Sequence, residues 1–222
     1  MQQIGKIALV FGPTGAVGKE LVHLLLNDAR YEKILVFSRR VLEIEHPKLE
    51  VILDTLTDLA KFHEQINGHD LFCCIGTTSK KAGSKENFKK VDLEIPVQLA
   101  EIASSNGVPN FIAISSIGAG KPGRGFYLDV KTEMENQVIQ FDFKKLSFVR
   151  PSLLLSKRDE FRISEDAGKV VNSLVSWAMV GKLEKYKGIS TRKVASAMIE
   201  ILNLDKPNLV YESDELMGLA KV

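Results

Sequence analysis

The sequence predicts an α/β fold: a doubly wound, mainly parallel sheet with helices on both faces. Three observations predict it. Apolar runs of strand length alternate with helix-length stretches of 3.6-residue periodicity along most of the chain. The first strand and helix are joined by Gly12, Gly15 and Gly18, spaced GxxGxxG. No internal repeat, low-complexity tract or linker interrupts the alternation, and such alternation builds a parallel sheet covered on both sides. The 222 residues, 45% of them hydrophobic, therefore read as one domain over residues 1–222. A small substrate-covering part is expected from about residue 153, where the alternation loosens.

The first unit is a strand over 6–11 and a helix over 15–28, with Val17, Leu21, Leu24 and Leu25 on one helix face. A strand, a glycine turn and a helix in that order make a dinucleotide-phosphate site, so the fold reads as Rossmann-like and NAD(P)-binding. Gly12 permits the tight exit from the strand, and Gly15 lets the backbone approach a pyrophosphate. Gly18 lets helix and sheet pack closely. Thr14, Gly15, Ala16, Val17 and Gly18 lie where free N–H groups and the positive end of the helix hold phosphate. The bland alternative is a plain βα turn; the flanking strand and helix favour the nucleotide.

The second strand, 33–37, runs into Ser38-Arg39-Arg40. An NAD site usually places an acidic residue here for the ribose hydroxyls, whereas two guanidinium groups suit a 2′-phosphate. The turn therefore points to NADP(H) over a merely solvated arginine pair. Asp54 ends the third strand, 49–53, where it either meets the adenine amino group or closes a turn before a helix over 58–66. The fourth strand, 69–75, leads to Gly76-Thr77, where a glycine lets a flat cofactor lie against the backbone. Lys80, Lys81, Lys85, Lys89 and Lys90 follow, and read as a solvated loop and helix start. The helix over 85–106 contains Pro96, which should bend it by displacing the carbonyl of Asp92.

The fifth strand, 109–115, ends at Ser115-Ser116, and a helix over 126–141 carries Tyr127 and Lys131. A spacing of four puts both side chains on one helix face, where an ammonium stabilises a nearby phenolate. A strand-end serine hydroxyl can bind the same substrate oxygen; the sequence leaves Ser115 and Ser116 both open for this. YxxxK alone is usually surface decoration, and the serine pair and nucleotide turn make it specific. A strand over 145–150, helices over 167–179 and 191–203, and a strand over 208–212 complete the alternation. Residues 156–167, of mixed charge, are expected to be a mobile cover over the nicotinamide end of the cleft.

Composition excludes several classes. A net charge of +2 points to neither nucleic acid nor an anionic membrane surface. Cys73 and Cys74 are adjacent in a strand and suit neither a disulfide nor a metal, as expected of a cytoplasmic protein. The chain enters a strand too early for a signal peptide, and no apolar run reaches the ~18–20 residues of a membrane helix. The four histidines have no metal-ligand spacing, and there is no GxSxG nucleophile elbow.

GPTGAVG at 12–18, SRR at 38–40, CCIGTT at 73–78, ISS at 114–116, YLDVK at 127–131 and RPSLLL at 150–155 together resemble the atypical short-chain dehydrogenase/reductases. The nearest likeness is to the Tat-interacting-protein-like and NmrA-like NAD(P)-binding oxidoreductases. It covers nearly the whole chain, with the motifs in the family's order. The resemblance implies NADPH binding and a Ser-Tyr-Lys site: Ser116, Tyr127 and Lys131 would be catalytic. Gly12, Gly15, Gly18, Arg39 and Arg40 would bind cofactor, and Arg150-Pro151 would lead toward the substrate. Two features depart from related patterns: the turn is GxxGxxG rather than GxGxxG, and the chain is short for a sugar-nucleotide epimerase. The expected function is an NADPH-dependent carbonyl reductase or dehydrogenase acting on a small carbonyl or alcohol, with a homodimer as a possible assembly. The alternative is an NADPH-binding redox sensor without substantial turnover.

Overall fold

The computed structural model describes residues 5–155 and 186–222. In chain order the strands are β1 (Lys6–Phe11), β2 (Tyr31–Ser38), β3 (Leu49–Leu53), β4 (Asp70–Cys73), β5 (Asn110–Ile114), β6 (Lys145–Arg150), β7 (Leu154–Leu155), β8 (Ile189–Ser190) and β9 (Val210–Glu212). The helices are α1 (Ala16–Leu26), α2 (Ser79–Ala82), α3 (Lys85–Lys89), α4 (Ile95–Ser105), α5 (Phe126–Val138), α6 (Thr191–Asn203) and α7 (Ser213–Leu219). Seven strands form one sheet in the order β3-β2-β1-β4-β5-β6-β9. Every adjacent pair is parallel, which makes the expected doubly wound sheet wholly parallel. The strand order reverses between β1 and β4, and a ligand crevice opens above their carboxyl ends.

Because both sheet faces are covered, the strands read as continuous apolar runs rather than as alternations. Ala8, Leu9, Val10 and Phe11 are all fully buried. Successive side chains nevertheless part to opposite faces. Ala8, Val10, Ile34, Val36 and Ile112 pack with α1 and α6, while Leu9, Phe11, Phe37, Leu71 and Phe111 pack with α4 and α5. Phe11 stacks on Phe37 with ring centroids 4.3 Å apart. Helix α1 lies against α6, from near the other end of the chain, through Leu21 and Leu25 on one side and Val194 and Met198 on the other.

One charged group is sunk at the amino ends of the strands. Asp70 is fully buried; it accepts from the Tyr31 hydroxyl and from Asn110 Nδ2 at 2.6 Å, and pairs with Lys6 Nζ at 3.1 Å. Asn203, at the end of α6, closes the cluster by accepting from Lys6 at 2.8 Å and donating to Tyr31 at 3.1 Å. A buried charge so fully partnered ties four strands and α6 together at the pole opposite the crevice.

The expected helix over 85–106 is broken into α3, a π turn over Lys90–Glu94, and α4. Pro96 has no N–H and its ring excludes the carbonyl of Asp92, and the turn that precedes it is widened to a π turn. The expected helix over 58–66 is a correction: only a 3₁₀ turn over Ala60–Phe62 forms. Leu59, Phe62 and Ile66 are buried as their helix-like spacing implies. The carbonyls of His63 and Ile66, however, accept from the side chain of Asn106 rather than from a helical ladder. Helix α6 spans the expected residues. The expected helix over 167–179 and cover over 156–167 lie outside the described residues.

Candidate active site

The glycine turn is built by three different close approaches. Gly12 has φ +81°, and a Cβ there would lie 2.6 Å from the carbonyl oxygen of Cys74. β1 and the end of β4 can therefore meet only if this residue has no side chain. Gly15 N–H donates to Gly12 O at 3.1 Å and starts α1 with no side-chain cap. The first-turn amides and the positive end of α1 are left for an anion. Gly18 would place a Cβ 2.1 Å from Gly12 O and 3.1 Å from Pro13 Cα. Its role differs from the expected one, since it lets the helix close on the turn itself rather than on the sheet. Thr14, Gly15 and Ala16 are exposed at the mouth of the turn, and Val17 points into the core. Substituting Gly18 with alanine should push Gly12 and Pro13 aside, costing about 1–3 kcal/mol as overpacking does. Thermal melts with and without NADPH check this; an unchanged melting temperature and cofactor shift would refute it.

At the end of β2, Ser38 is buried and its hydroxyl is spent within the turn. It donates to Arg40 O at 2.7 Å and accepts from Arg40 N–H at 3.1 Å. Arg39 and Arg40 are both exposed, and neither makes an ion pair among the described residues. Asp54 accepts from Leu56 N–H at 2.7 Å and pairs with Lys61 at 2.6 Å. The Lys61 contact, then the Leu56 amide, hold its carboxyl below the usual range. Its oxygens are thus engaged in closing the turn that follows β3.

Beyond β4 the chain wraps a buried ion pair. Lys131 Nζ lies 2.7 Å from Asp92 Oδ1, with side chains 3% and 1% exposed. Asp92 also accepts from Thr77 N–H at 2.8 Å, and Lys131 donates to Ile114 O at 3.4 Å. A Cβ on Gly76 would come 3.4 Å from Asp92 Oδ1, so the Gly76-Thr77 loop lies directly on the carboxylate. Burial lowers the Lys131 pKa, but Asp92 and then Tyr127 outweigh it, and the net shift is upward. Lys131 is therefore a buried ammonium paired with Asp92, one helical turn after Tyr127 on α5.

Tyr127 is half-buried in the first turn of α5, its ring 5.6 Å from that of Phe88 on α3. Ser115 is 3% exposed, and its hydroxyl has no hydrogen-bond partner. It extends the alternation of Phe111 and Ala113, which face the α4–α5 layer. Ser116 is half-buried, and its hydroxyl reaches only Ile117 O, at 3.5 Å. The Cys73 thiol lies near Lys131 and Asp92, and burial pushes its pKa up to about 11. It is an inert core group rather than a nucleophile. Among the described residues, no cluster of His, Cys, Asp and Glu is suited to a metal ion.

A strand-order reversal with a glycine turn and an uncapped helix beside it is the place where sheets of this kind bind dinucleotides. A family model described as NAD(P)H-binding matches residues 12–205. The chain belongs to this NAD(P)H-binding family. The protein HTATIP2 of Rattus norvegicus is 36% identical over 179 residues, which cover 78% of this chain and 74% of that protein. The mitochondrial protein FMP52 of Debaryomyces hansenii is 34% identical over 158 residues, 69% of each chain. Among solved structures, the oxidoreductase ylbE from Lactococcus lactis superposes with a TM-score of 0.67 at 19% identity, covering 96% of both chains. That likeness is one of fold.

In this NAD(P)H-binding protein two site residues escape sequence reasoning. Asp92 shares a buried helical stripe with Phe88, Pro96, Leu99 and Ala103, and a carboxylate on an apolar stripe is the signal that could have found it. Glu135, also buried, accepts from Arg150 Nε at 2.9 Å and from Nη2. The Arg150 guanidinium in turn lies against Gly120, in the loop that follows Ser116.

Proposed function

We propose that the protein is an NADPH-dependent oxidoreductase that interconverts a small carbonyl compound and its alcohol. The reading rests on one observation: Lys131 is buried on Asp92 four residues after Tyr127 on α5, and donates to the carbonyl of Ile114 at the strand end that carries the serine pair. The glycine cradle fits the cofactor, because Cβ atoms at Gly12 and Gly18 would fill space the turn needs and α1 begins uncapped. When bound, the nicotinamide supplies or accepts the hydride. In the reducing direction the Tyr127 hydroxyl gives its proton to the oxygen that becomes the alkoxide. Lys131 favours the phenolate left behind, and its remaining N–H is the donor for a ribose hydroxyl. A serine hydroxyl orients the carbonyl; Ser116 is the assignment the resemblance implies, while Ser115 is the one with an unspent hydroxyl.

Cofactor choice is assigned to Arg39 and Arg40. Losing charge-assisted contacts to a 2′-phosphate should cost about 1.5–3 kcal/mol, or one to two decades of affinity. Fluorescence titration of the Arg39→Ala, Arg40→Ala double variant is expected to show NADPH weakened far more than NADH. Equal losses, or a wild type that prefers NADH, count against it.

A second reading, an NADPH-binding sensor, is favoured by the same ion pair: Asp92 matches the Lys131 charge and reduces its pull on Tyr127. Turnover separates the two, since an enzyme oxidises NADPH with some carbonyl compound and a sensor only binds it. No helix among the described residues is long and apolar enough to cross a membrane. Cytoplasmic residence is part of the proposal, and fractionation tests it against the mitochondrial names of the yeast relatives.

A further inference from the structure

The segments on either side of the strand end that leads to Tyr127 carry a large excess of cations. Residues 77–90 and 117–125 carry Lys80, Lys81, Lys85, Lys89, Lys90, Lys121 and Arg124 against one carboxylate, Glu86. None of these seven makes an ion pair among the described residues. Glu86 is turned to Ser84 and its own backbone, with Lys85 and Lys89 near enough to help hold its carboxyl below the usual range, so one carboxylate is shared among these cations. Asp129, on α5, accepts from the N–H groups of Gly123 at 2.8 Å and Arg124 at 3.3 Å. Asp92 is taken by Lys131 and Thr77.

Two of the cations are set close to the tyrosine. Lys85 Nζ sits 5.3 Å from the centre of the Phe126 ring. Phe88, one helical turn on, touches both Phe126 and Tyr127 with ring centroids 5.6 Å apart. Arg124 stands three residues before Tyr127, between Gly123 (φ +79°) and Gly125 (φ +104°). Asp129 pins its backbone, and its guanidinium folds back to 3.8 Å from where a Cβ on Gly118 would be. A Lys seated on the Phe126 ring and an Arg folded over the Gly118 loop thus lie close in the chain to Tyr127, whose ring joins those of Phe88 and Phe126 in an apolar cluster. The cofactor's phosphates are assigned elsewhere, to α1 and the turn after β2. A cleft lined by one sign of charge concentrates ligands of the other sign.

We propose that Lys85 and Arg124 form an anion subsite beside Tyr127, and that the substrate is a small carbonyl compound bearing a terminal carboxylate or phosphate. This rests on the oxidoreductase reading and names its substrate class. The planar Arg fork suits either oxyanion, Lys85 adds a point charge, and Phe88 and Phe126 receive the apolar body between anion and carbonyl.

The test uses matched aromatic aldehydes: para-carboxybenzaldehyde, its neutral methyl ester and para-formylphenyl phosphate, each with NADPH and the full chain. One of the two anions should exceed the ester in kcat/KM by about tenfold or more, an advantage that shrinks with added salt. Which anion wins separates carboxylate from phosphate. Lys85→Gln with Arg124→Gln should abolish the advantage, and Lys206→Gln, an exposed cation ahead of β9, should keep it. In parallel, ligand-observed NMR compares binding of the corresponding alcohols in the NADPH-loaded protein. If no aldehyde turns over but the anionic alcohols bind through Lys85 and Arg124, the oxidoreductase reading falls and the subsite stands. Equal use and equal binding of neutral and anionic compounds overturns the subsite. So does a double variant that loses a DNA duplex or an anionic vesicle while handling the small anions as wild type does.

Discussion

Replacing Tyr127 with phenylalanine is expected to lower turnover by about 10²–10⁴ while NADPH affinity stays at the wild-type value. The ring keeps its contact with Phe88, and the cofactor's phosphates are assigned to the glycine turn and α1 rather than to this residue. Only the hydroxyl that carries the transferable proton is removed. Lys131→Met should differ, weakening cofactor binding together with rate, because the lysine is assigned both tasks. Affinity and turnover measured on both variants form the discriminating set. A Tyr127→Phe protein with the wild-type rate would remove the phenol from catalysis. A wild type that binds NADPH but reduces no carbonyl compound would favour the sensor.

Asp92→Ala should be the most destabilising single change at the site. It leaves the Lys131 ammonium buried with no counter-charge, a loss that typically costs about 3–5 kcal/mol. It also removes the acceptor for Thr77 N–H, freeing the loop that lies on the carboxylate. Since the Lys131 pKa is raised in the folded protein, the stabilisation it brings is whole at neutral pH. It fades only as pH climbs from about 10.4 through the folded value. In the alanine variant burial acts without its opponent and draws the pKa down. Denaturant melts should show the double variant Asp92→Leu, Lys131→Met recovering much of the lost stability while turnover does not return. A single variant as stable as the wild type would mean that the ammonium finds water, and that the pair is not closed.

The parts of this site that follow from local chemistry are legible in the sequence. The glycine turn is one, because a tight exit, a phosphate approach and a helix start each demand small residues at fixed spacing. The all-parallel sheet is another, since apolar strands alternating with helices leave few other arrangements. Distance in sequence hides the rest. Asp92 lies 39 positions before Lys131, and only the fold brings them within 2.7 Å. In the sequence it enters only through its backbone carbonyl opposite Pro96, although its side chain shares the buried stripe of Phe88 and Leu99. The segment at 58–66 misled for the opposite reason. Leu59, Phe62 and Ile66 plug the core at helical spacing, but a side chain 40 residues on satisfies the carbonyls. Ser38 shows a third limit: a hydroxyl at a ligand-facing turn can be consumed by the turn itself.

The contact between α1 and α6 has a bearing on how the chain is made. Helix α1 is synthesised well before α6, yet its Leu21 and Leu25 share one core with Val194 and Met198 of α6. Asn203, which closes the Asp70 cluster, is later still. A nascent chain that has completed β1 through β5 therefore carries an unroofed apolar helix and an unfinished polar knot until α6 has been made. Such a chain is a natural client for chaperones during synthesis. A premature stop before residue 191 leaves the cradle sequence intact while withholding the helix that holds it against the sheet.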